Sequence, residues 1–294
     1  MKVRDNLCAR METFYEQVQK TKLTKRTPVA ICIDGRAFHT FTREFKKPFD
    51  ELLIKTMQET MKYLCKNIQG CVFGYTQSDE IILILADYQT PTSSAWFDYD
   101  VQNLCSVSAS MTTMMFNKLF ERNTAESKKA FCEEFIDDEY NPLYKNEELR
   151  ELWLAHKKSS EKGIMFKAQC FNIPNEEITN FIYWRQSVAT RNSVQILGQA
   201  NFGHKKLQNK SCSDIKNMLM TKRGINWNDL PTCQKRGSCC VRNGIVVAND
   251  GLVKACQLRD TKESKKAWLI DNNIPIFKGD GREYIERLIN VVGE

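Results

Sequence analysis

The sequence predicts an α+β fold: an antiparallel sheet of the ferredoxin-like βαββαβ pattern with its helices on one face, extended by further helices and a β-hairpin. Three observations carry this. The runs VAICID at 29–34, CVFGYT at 71–76 and EIILILA at 80–86 have strand length and strand composition. Between the first two runs, Phe49, Leu52, Leu53, Met57, Met61 and Leu64 recur near helical spacing. Only Gln77-Ser78-Asp79 joins the second run to the third, which suits a hairpin turn and rules out a parallel crossover.

Taken in order, residues 5–21 read as an amphipathic helix, and Thr27-Pro28 leads into the first strand, which ends at Asp34. Pro48 opens the first helix of the sheet unit and Gly70 closes it. After the hairpin, a helix is expected over 100–121, where VQNLCSVSASMTTMMFNKLF is apolar on most faces and so reads as buried. Residues 122–165 are charge-rich and predict a solvated helical insertion or cover. The block 166–232 carries a helix over roughly 175–200 and a basic stretch after it. In the tail, IVVAND and GLVKACQL flank Asn249-Asp250-Gly251, a strong hairpin signal, and EYIERLINVV reads as a closing helix. The expected division is a core at 1–121, the insertion at 122–165 and a remainder at 166–294.

At 294 residues the chain suffices for one large domain or two closely packed ones. Its 43 basic against 36 acidic residues give +7, which suits a polyanionic partner without requiring one. Twelve cysteines lie scattered through apolar positions such as Cys32, Cys71 and Cys105, a pattern of reduced thiols rather than of a secreted disulfide scaffold. Asp5 and Glu12 interrupt the N-terminus, and nothing approaches the roughly 20 apolar residues that span a bilayer. A soluble cytoplasmic protein with no membrane partner is expected, with a mitochondrial address left open.

In the βαββαβ pattern the first strand lies beside the third. The end of one and the start of the other then share an edge, which brings Asp34 to Asp79 and Glu80. Hard divalent cations such as Mg²⁺ take one or two carboxylates together with phosphate and water, and a pair of them stabilises both oxygens of a phosphoryl transfer. Gly35 allows close backbone approach. Gly35-Arg36-Ala37-Phe38-His39 offers consecutive amides at a strand exit as a phosphate nest, and Lys46-Lys47 add charge before the next helix start. Ordinary turns and solvated lysines account for the same residues on spacing alone.

Longer motifs separate the two readings. IDGRAFHTF, KPFD, YTQSDE, CSVSASMTTMMFN at 105–117, FNIPNEEITNFIYWRQSVATRNSV at 171–194 and GINWNDLP at 224–231 resemble, in order over about residues 1–232, the tRNA(His) guanylyltransferase superfamily. Its members add nucleotides to RNA 5′ ends in the 3′-to-5′ direction on a polymerase-like palm. The resemblance implies Asp34, Asp79 and Glu80 as catalytic acids, with two Mg²⁺ ions on Asp34, Asp79 and the Gly35 carbonyl. It implies a nucleotide site on Gly35, Arg36, Ala37, Phe38, His39, Lys47, Asp50 and Ser78. ATP would activate a 5′-monophosphate, GTP or another NTP would be added, tRNA would be the substrate and the assembly a homotetramer.

Departures point to a branch. Where the eukaryotic tRNA(His) enzymes carry His-Ile-Asn-Asn, this chain has Thr190, Arg191, Asn192 and Ser193. That form resembles the guanylyltransferase-like branch, which repairs truncated tRNA 5′ ends against a template. Cys32 stands in place of an arginine, Phe49 in place of the Asn of KPND, and Phe166-Lys167-Ala168-Gln169 in place of a Phe-Asp-x-Arg element.

Arg185, Gln186, Arg191 and Asn192, with the basic run containing Lys205, Lys206 and Lys210, are the expected RNA contacts. Trp184, on an apolar stretch of helix, is expected mainly in the core. Cys233, Cys239 and Cys240 lack the paired spacing of a zinc site. Three functions follow: a templated tRNA 5′-end nucleotidyltransferase, a dedicated tRNA(His) guanylyltransferase, or a tRNA-binding protein without activity.

Overall fold

A computed structural model describes residues 7–16, 20–133, 147–242 and 267–289. Strands β1 (Val29–Gly35), β2 (Cys71–Gln77), β3 (Glu80–Leu85), β4 (Phe166–Asn172), β5 (Ser238–Arg242) and β6 (Trp268–Asp271) form a six-stranded antiparallel sheet in the order β4-β1-β3-β2-β5-β6. The helices, in chain order, are α1 (Leu7–Met11), α2 (Phe38–Phe41), α3 (Glu51–Asn67), α4 (Val101–Glu133) and α5 (Glu147–Lys162). They continue with α6 (Asn175–Phe202), α7 (His204–Leu207), α8 (Cys212–Arg223), α9 (Thr232–Arg236) and α10 (Glu283–Ile289).

The first four strands with α3 and α4 make the expected βαββαβ unit, with β1 beside β3. Val29 to Ile33 are fully or almost fully buried because the sheet is covered twice. On one face Val29, Ile31, Ile33, Leu83 and Leu85 pack against Met61 and Leu64 of α3 and Phe116 and Phe120 of α4. On the other, Ala30, Cys32, Ile82 and Ile84 meet Ile178 and Ile182 of α6 and Ile285 of α10. Alternation along each strand sends successive side chains to opposite cores. Gly74 lets α3 approach β2 closely: a Cβ there would lie 2.5 Å from Cys65 Sγ.

The boundaries differ from expectation in three places. The described part of 5–21 is the short α1 and a π-helical turn over Glu12–Glu16, with Phe14 and Tyr15 exposed. Its apolar residues find no core surface among the described residues. The division at 121 falls inside α4, which continues to Glu133, and β4, beyond the insertion, completes the first sheet unit. Within the insertion α5 packs on α4 and buries Ala155 and His156, so that helix is not wholly solvated. The hairpin expected at Asn249-Asp250-Gly251 lies outside the described residues. Buried cysteines such as Cys32, Cys71 and Cys239 are free thiols, and no described helix is long and apolar enough to cross a membrane.

Candidate active site

Sheet register sets the site. Lys167, Asp34, Glu80 and Gln77 are cross-strand partners in one row across β4, β1, β3 and β2. Asp34 lies two residues after Cys32 and Glu80 two before Ile82, so the row belongs to the face covered by α6. Lys167 Nζ is 3.3 Å from Asp34 Oδ1, and Arg185 Nη1, from α6, is 3.3 Å from Glu80 Oε1. Asp79 occupies the two-residue β2–β3 turn, where Ser78 takes a left-handed φ of 54°. The Gly35 amide donates to the Asp79 carbonyl at 3.3 Å and ties the turn to the end of β1.

Burial raises the pKa of Asp79; its own amide and the Ser78 hydroxyl pull down, Asp34 pushes up, and the result stays above the ordinary value. Burial likewise raises Glu80, Arg185 opposes it, and Asp79 and Asp34 add to the rise. The site thus concentrates negative charge against an apolar floor and favours a cation. Among the described residues no three His, Cys, Asp or Glu side chains converge closely enough to hold a metal alone. The oxygen donors singled out by the sequence, the Asp34 and Asp79 carboxylates and the Gly35 carbonyl, are a hard-oxygen set that would suit Mg²⁺ completed by water and phosphate. The Cys32 thiol below is no competitor, since burial, with Glu80 adding and Arg185 opposing, pushes it up to about 12.

Beside the acids the chain turns sharply. Gly35 is needed because the Phe38 ring lies where a Cβ would stand, 2.5 Å away. The Arg36 amide is taken by the Met165 carbonyl at 2.8 Å, and Ala37 is left-handed at φ 54° and ψ 35°. The amides of Ala37, Phe38 and His39 meet no acceptor among the described residues, so the anion-binding concavity is narrower than the five amides expected. Arg36 and His39 are exposed at its rim, and Lys47 reaches the Thr42 carbonyl at 3.0 Å. A largely apolar cleft, open to solvent, is lined by Ser78, Pro48, Phe49, Leu53 and Ile196.

Asp50 lines that cleft, but its carboxylate is spent internally. Oδ1 accepts from the Leu53 amide at 2.9 Å, capping α3, while Oδ2 meets His156 Nε2 at 2.8 Å and the Lys46 amide at 3.3 Å. Burial raises its pKa, but the His156 hydrogen bond and charge, with the two amides, outweigh that and leave the carboxyl below its ordinary value.

The expected RNA residues separate. Arg191, Asn192, Lys205, Lys206 and Lys210 are exposed. Arg185 instead faces Glu80, with its guanidinium 4.5 Å over the Trp184 ring. Gln186 is corrected outright: it is 2% exposed, donates to the Pro275 carbonyl at 2.8 Å and accepts from the Phe277 amide at 3.0 Å, leaving nothing for RNA. Trp184 is corrected in the opposite sense and is 53% exposed. Sequence reasoning gave Lys167 only as a departure and missed His156. Cross-strand register is the signal that exposes Lys167; a lone histidine in a charged helix carries none.

The profile of the tRNAHis guanylyltransferase family matches residues 9–174, more than half of the chain. A bacterial tRNA(His) guanylyltransferase-like protein solved in complex with ATP is similar at 34% identity and TM-score 0.72, covering 96% of this chain and 99% of that one. A bacterial protein of the same description, in complex with GTP, gives 30% identity and TM-score 0.70, covering 97% and 99%. The tRNA(His) guanylyltransferase of Saccharomyces cerevisiae is 24% identical over 233 residues, 74% of this chain and 84% of the yeast protein. With its palm-like sheet, carboxylate row and a likeness that extends along nearly the whole length, this chain belongs to the tRNAHis guanylyltransferase family of nucleotidyltransferases, enzymes that polymerise in the 3′-to-5′ direction.

Proposed function

We propose that the protein is a Mg²⁺-dependent nucleotidyltransferase that repairs truncated tRNA 5′ ends under the direction of a template. The carrying observation is the row Asp34–Glu80, locked to the Asp79 turn and set beside the acceptor-free amides of Ala37 to His39. The likeness to bacterial proteins solved with ATP and with GTP supports nucleotides as substrates.

Asp34, Asp79 and the Gly35 carbonyl would hold the metal. When bound, it would offset negative charge on the reacting phosphates. The Ala37–His39 amides, with Arg36, His39 and Lys47, would cradle a triphosphate, and Ser78 would border its ribose or base in the cleft. In the first stage a 5′-phosphate oxygen of the RNA attacks the α-phosphorus of ATP, and pyrophosphate leaves. In the second, the 3′-hydroxyl of the incoming NTP attacks the activated 5′ phosphorus, its proton passes to solvent and AMP leaves. Glu80, turned toward Arg185, would support the acids rather than act as a ligand. The Arg191-Asn192 variant of the family segment favours templated repair over addition of a single G at position −1. A homotetramer in the cytoplasm, or in mitochondria, is part of the same proposal.

The test incubates the protein with Mg²⁺, ATP, four NTPs and a 5′-monophosphorylated tRNA lacking its first nucleotide, then sequences the 5′ end. Base-matched addition lost in Asp34→Ala is expected. Addition of G only to tRNA(His) would establish the dedicated enzyme, and RNA binding with no addition would establish the inactive one.

A further inference from the structure

Helix α5 grips the segment that follows β1 at three points. His156 Nε2 lies 2.8 Å from Asp50 Oδ2, Lys158 Nζ donates to Glu44 Oε1 at 2.9 Å, and Ser159 Oγ donates to the Phe41 carbonyl at 3.0 Å. Phe41 ends α2, Glu44 lies on the connection to α3, and Asp50 caps α3. The gripping residues fall within about one helical turn.

The three contacts are unequal. Lys158 and Glu44 are both mostly solvated, so their pair contributes little. The side chains of His156 and Asp50 are only 6% and 4% exposed. The imidazole also stands edge-on to Phe45 and Phe120, with centroids 4.7 and 5.9 Å away. Removing His156 leaves the buried Asp50 carboxylate with the Leu53 and Lys46 amides alone and no link to α5. The grip therefore depends on His156.

What it grips has little regular structure: one helical turn, then bends up to the α3 cap. Such a segment is poorly fixed by its own backbone bonds. It nevertheless carries the acceptor-free amides of Ala37 to His39, the exposed Lys46 and Lys47, and the cleft wall at Pro48 and Phe49.

We propose that His156 is a positioning residue for the nucleotide: through Asp50 it presets residues 37–50, so that a triphosphate meets amides and ammonium groups already in place. This rests on the reading of that segment as the nucleotide site. Presetting lowers the entropic cost of ordering a loop on binding and should show in nucleotide affinity rather than in RNA affinity.

The test measures ATP·Mg²⁺ binding by calorimetry and tRNA binding separately, for the full chain and for His156→Phe, His156→Gln, Asp50→Asn and the double variant Asp50→Asn/His156→Phe. Phe preserves the ring in its aromatic niche and deletes the hydrogen bond; Gln restores a donor. His156→Phe should weaken ATP binding about tenfold and leave tRNA binding within about twofold. Gln should recover most of the loss, and His156→Phe should add little to Asp50→Asn. Unchanged ATP affinity in a folded His156→Phe, or equal losses for ATP and tRNA, would overturn the proposal. Should His156→Phe not fold, Asp50→Asn decides: weaker ATP binding with tRNA binding retained supports the clamp, and unchanged ATP binding overturns it. Absence of ATP binding by the unsubstituted chain would overturn the nucleotide reading, and the clamp with it.

Discussion

The amide of Gly35 and the carbonyl of Asp79 are joined at 3.3 Å, so the end of β1 and the β2–β3 turn are held as one unit. The unit brings two aspartates from distant parts of the sequence to one sheet edge, and at one of them, Asp79, the folded state accepts a carboxylate whose ionisation it disfavours. That tension is what a functional site shows when stability and chemistry compete.

Asp79 is the cleaner test of it. Its folded pKa is raised, first by burial, so its contribution to stability is full below the ordinary carboxylate pKa and is lost as pH rises through the folded value. At pH 7 the ionised group therefore costs stability. Asp79→Asn is expected to raise Tm at pH 7 by about 1–2 °C, with the difference vanishing toward pH 4. The same change should lower nucleotide addition by about a hundredfold or more. Differential scanning fluorimetry across pH, beside a single-turnover assay, checks both. A lower Tm at neutral pH would contradict the assignment of strain to this carboxylate.

Asp50 carries the opposite sign. Burial pushes its pKa up, but His156 and the Leu53 and Lys46 amides win, and the folded value lies below the ordinary one. Its stabilisation is present above the unfolded pKa and is lost as pH falls through the lowered folded value. Asp50→Ala removes the α3 cap and strands His156, at an expected cost of about 2–4 kcal/mol at pH 7. Urea unfolding of both proteins from pH 7 to pH 3 should show the gap narrowing only below about pH 4. A gap independent of pH would mean that the carboxylate is not ionised in the fold.

The sheet unit was legible because its strands are uninterrupted aliphatic runs and one hairpin permits a single pairing. Asp34, Asp79 and Glu80 follow from that topology, since register needs no side-chain geometry. Side-chain direction on α6 was not legible. Trp184, Arg185 and Gln186 are consecutive, and a helix turns them about 100° apart, so one is exposed, one meets Glu80 and one is buried. Nothing in WRQ says which. His156 was invisible because the lysines and glutamates around it describe the outer face of α5, and only Ala155 and His156 of that helix are almost fully buried.

Gln186 joins α6 to the segment before α10 through the Pro275 carbonyl and the Phe277 amide. Gln186→Ala leaves both backbone groups without their partner in a buried place. The expected loss is about 2–4 kcal/mol in chemical denaturation, with tRNA affinity changed by less than about twofold. Selective loss of tRNA binding at unchanged stability would restore the RNA role that the sequence suggested.

Lys205, Lys206 and Lys210 sit on α7 and the turn after it and are exposed, with Asp214 the acidic neighbour of Lys210. If they meet RNA phosphates, each displaces condensed counterions and steepens the salt dependence of binding. Replacing all three with glutamine should weaken tRNA binding at low salt and reduce the slope of log K against log[salt] by about 2–3. An unchanged slope in filter binding from 50 to 300 mM KCl, a range of about sixfold in salt, would remove this surface from the RNA path.

Trp184 gives the sharpest test of where the RNA end lies. Its indole is packed on one side by Phe181, with ring centroids 6.0 Å apart, and by the Arg185 guanidinium at 4.5 Å, yet half of it faces solvent. Because Arg185 also contacts Glu80, the exposed ring stands beside the carboxylate row. A platform there suits an unpaired base at the 5′ end, since stacking on an aromatic face contributes about 1–3 kcal/mol per base. Trp184→Ala is expected to weaken binding of a 5′-truncated tRNA about tenfold, and Trp184→Phe should retain part of the affinity. Stacking also quenches indole emission, so adding that tRNA should dim the wild-type protein more than Trp184→Phe. Equal quenching in the two proteins, with equal affinity, would place the RNA end elsewhere on the α6 face.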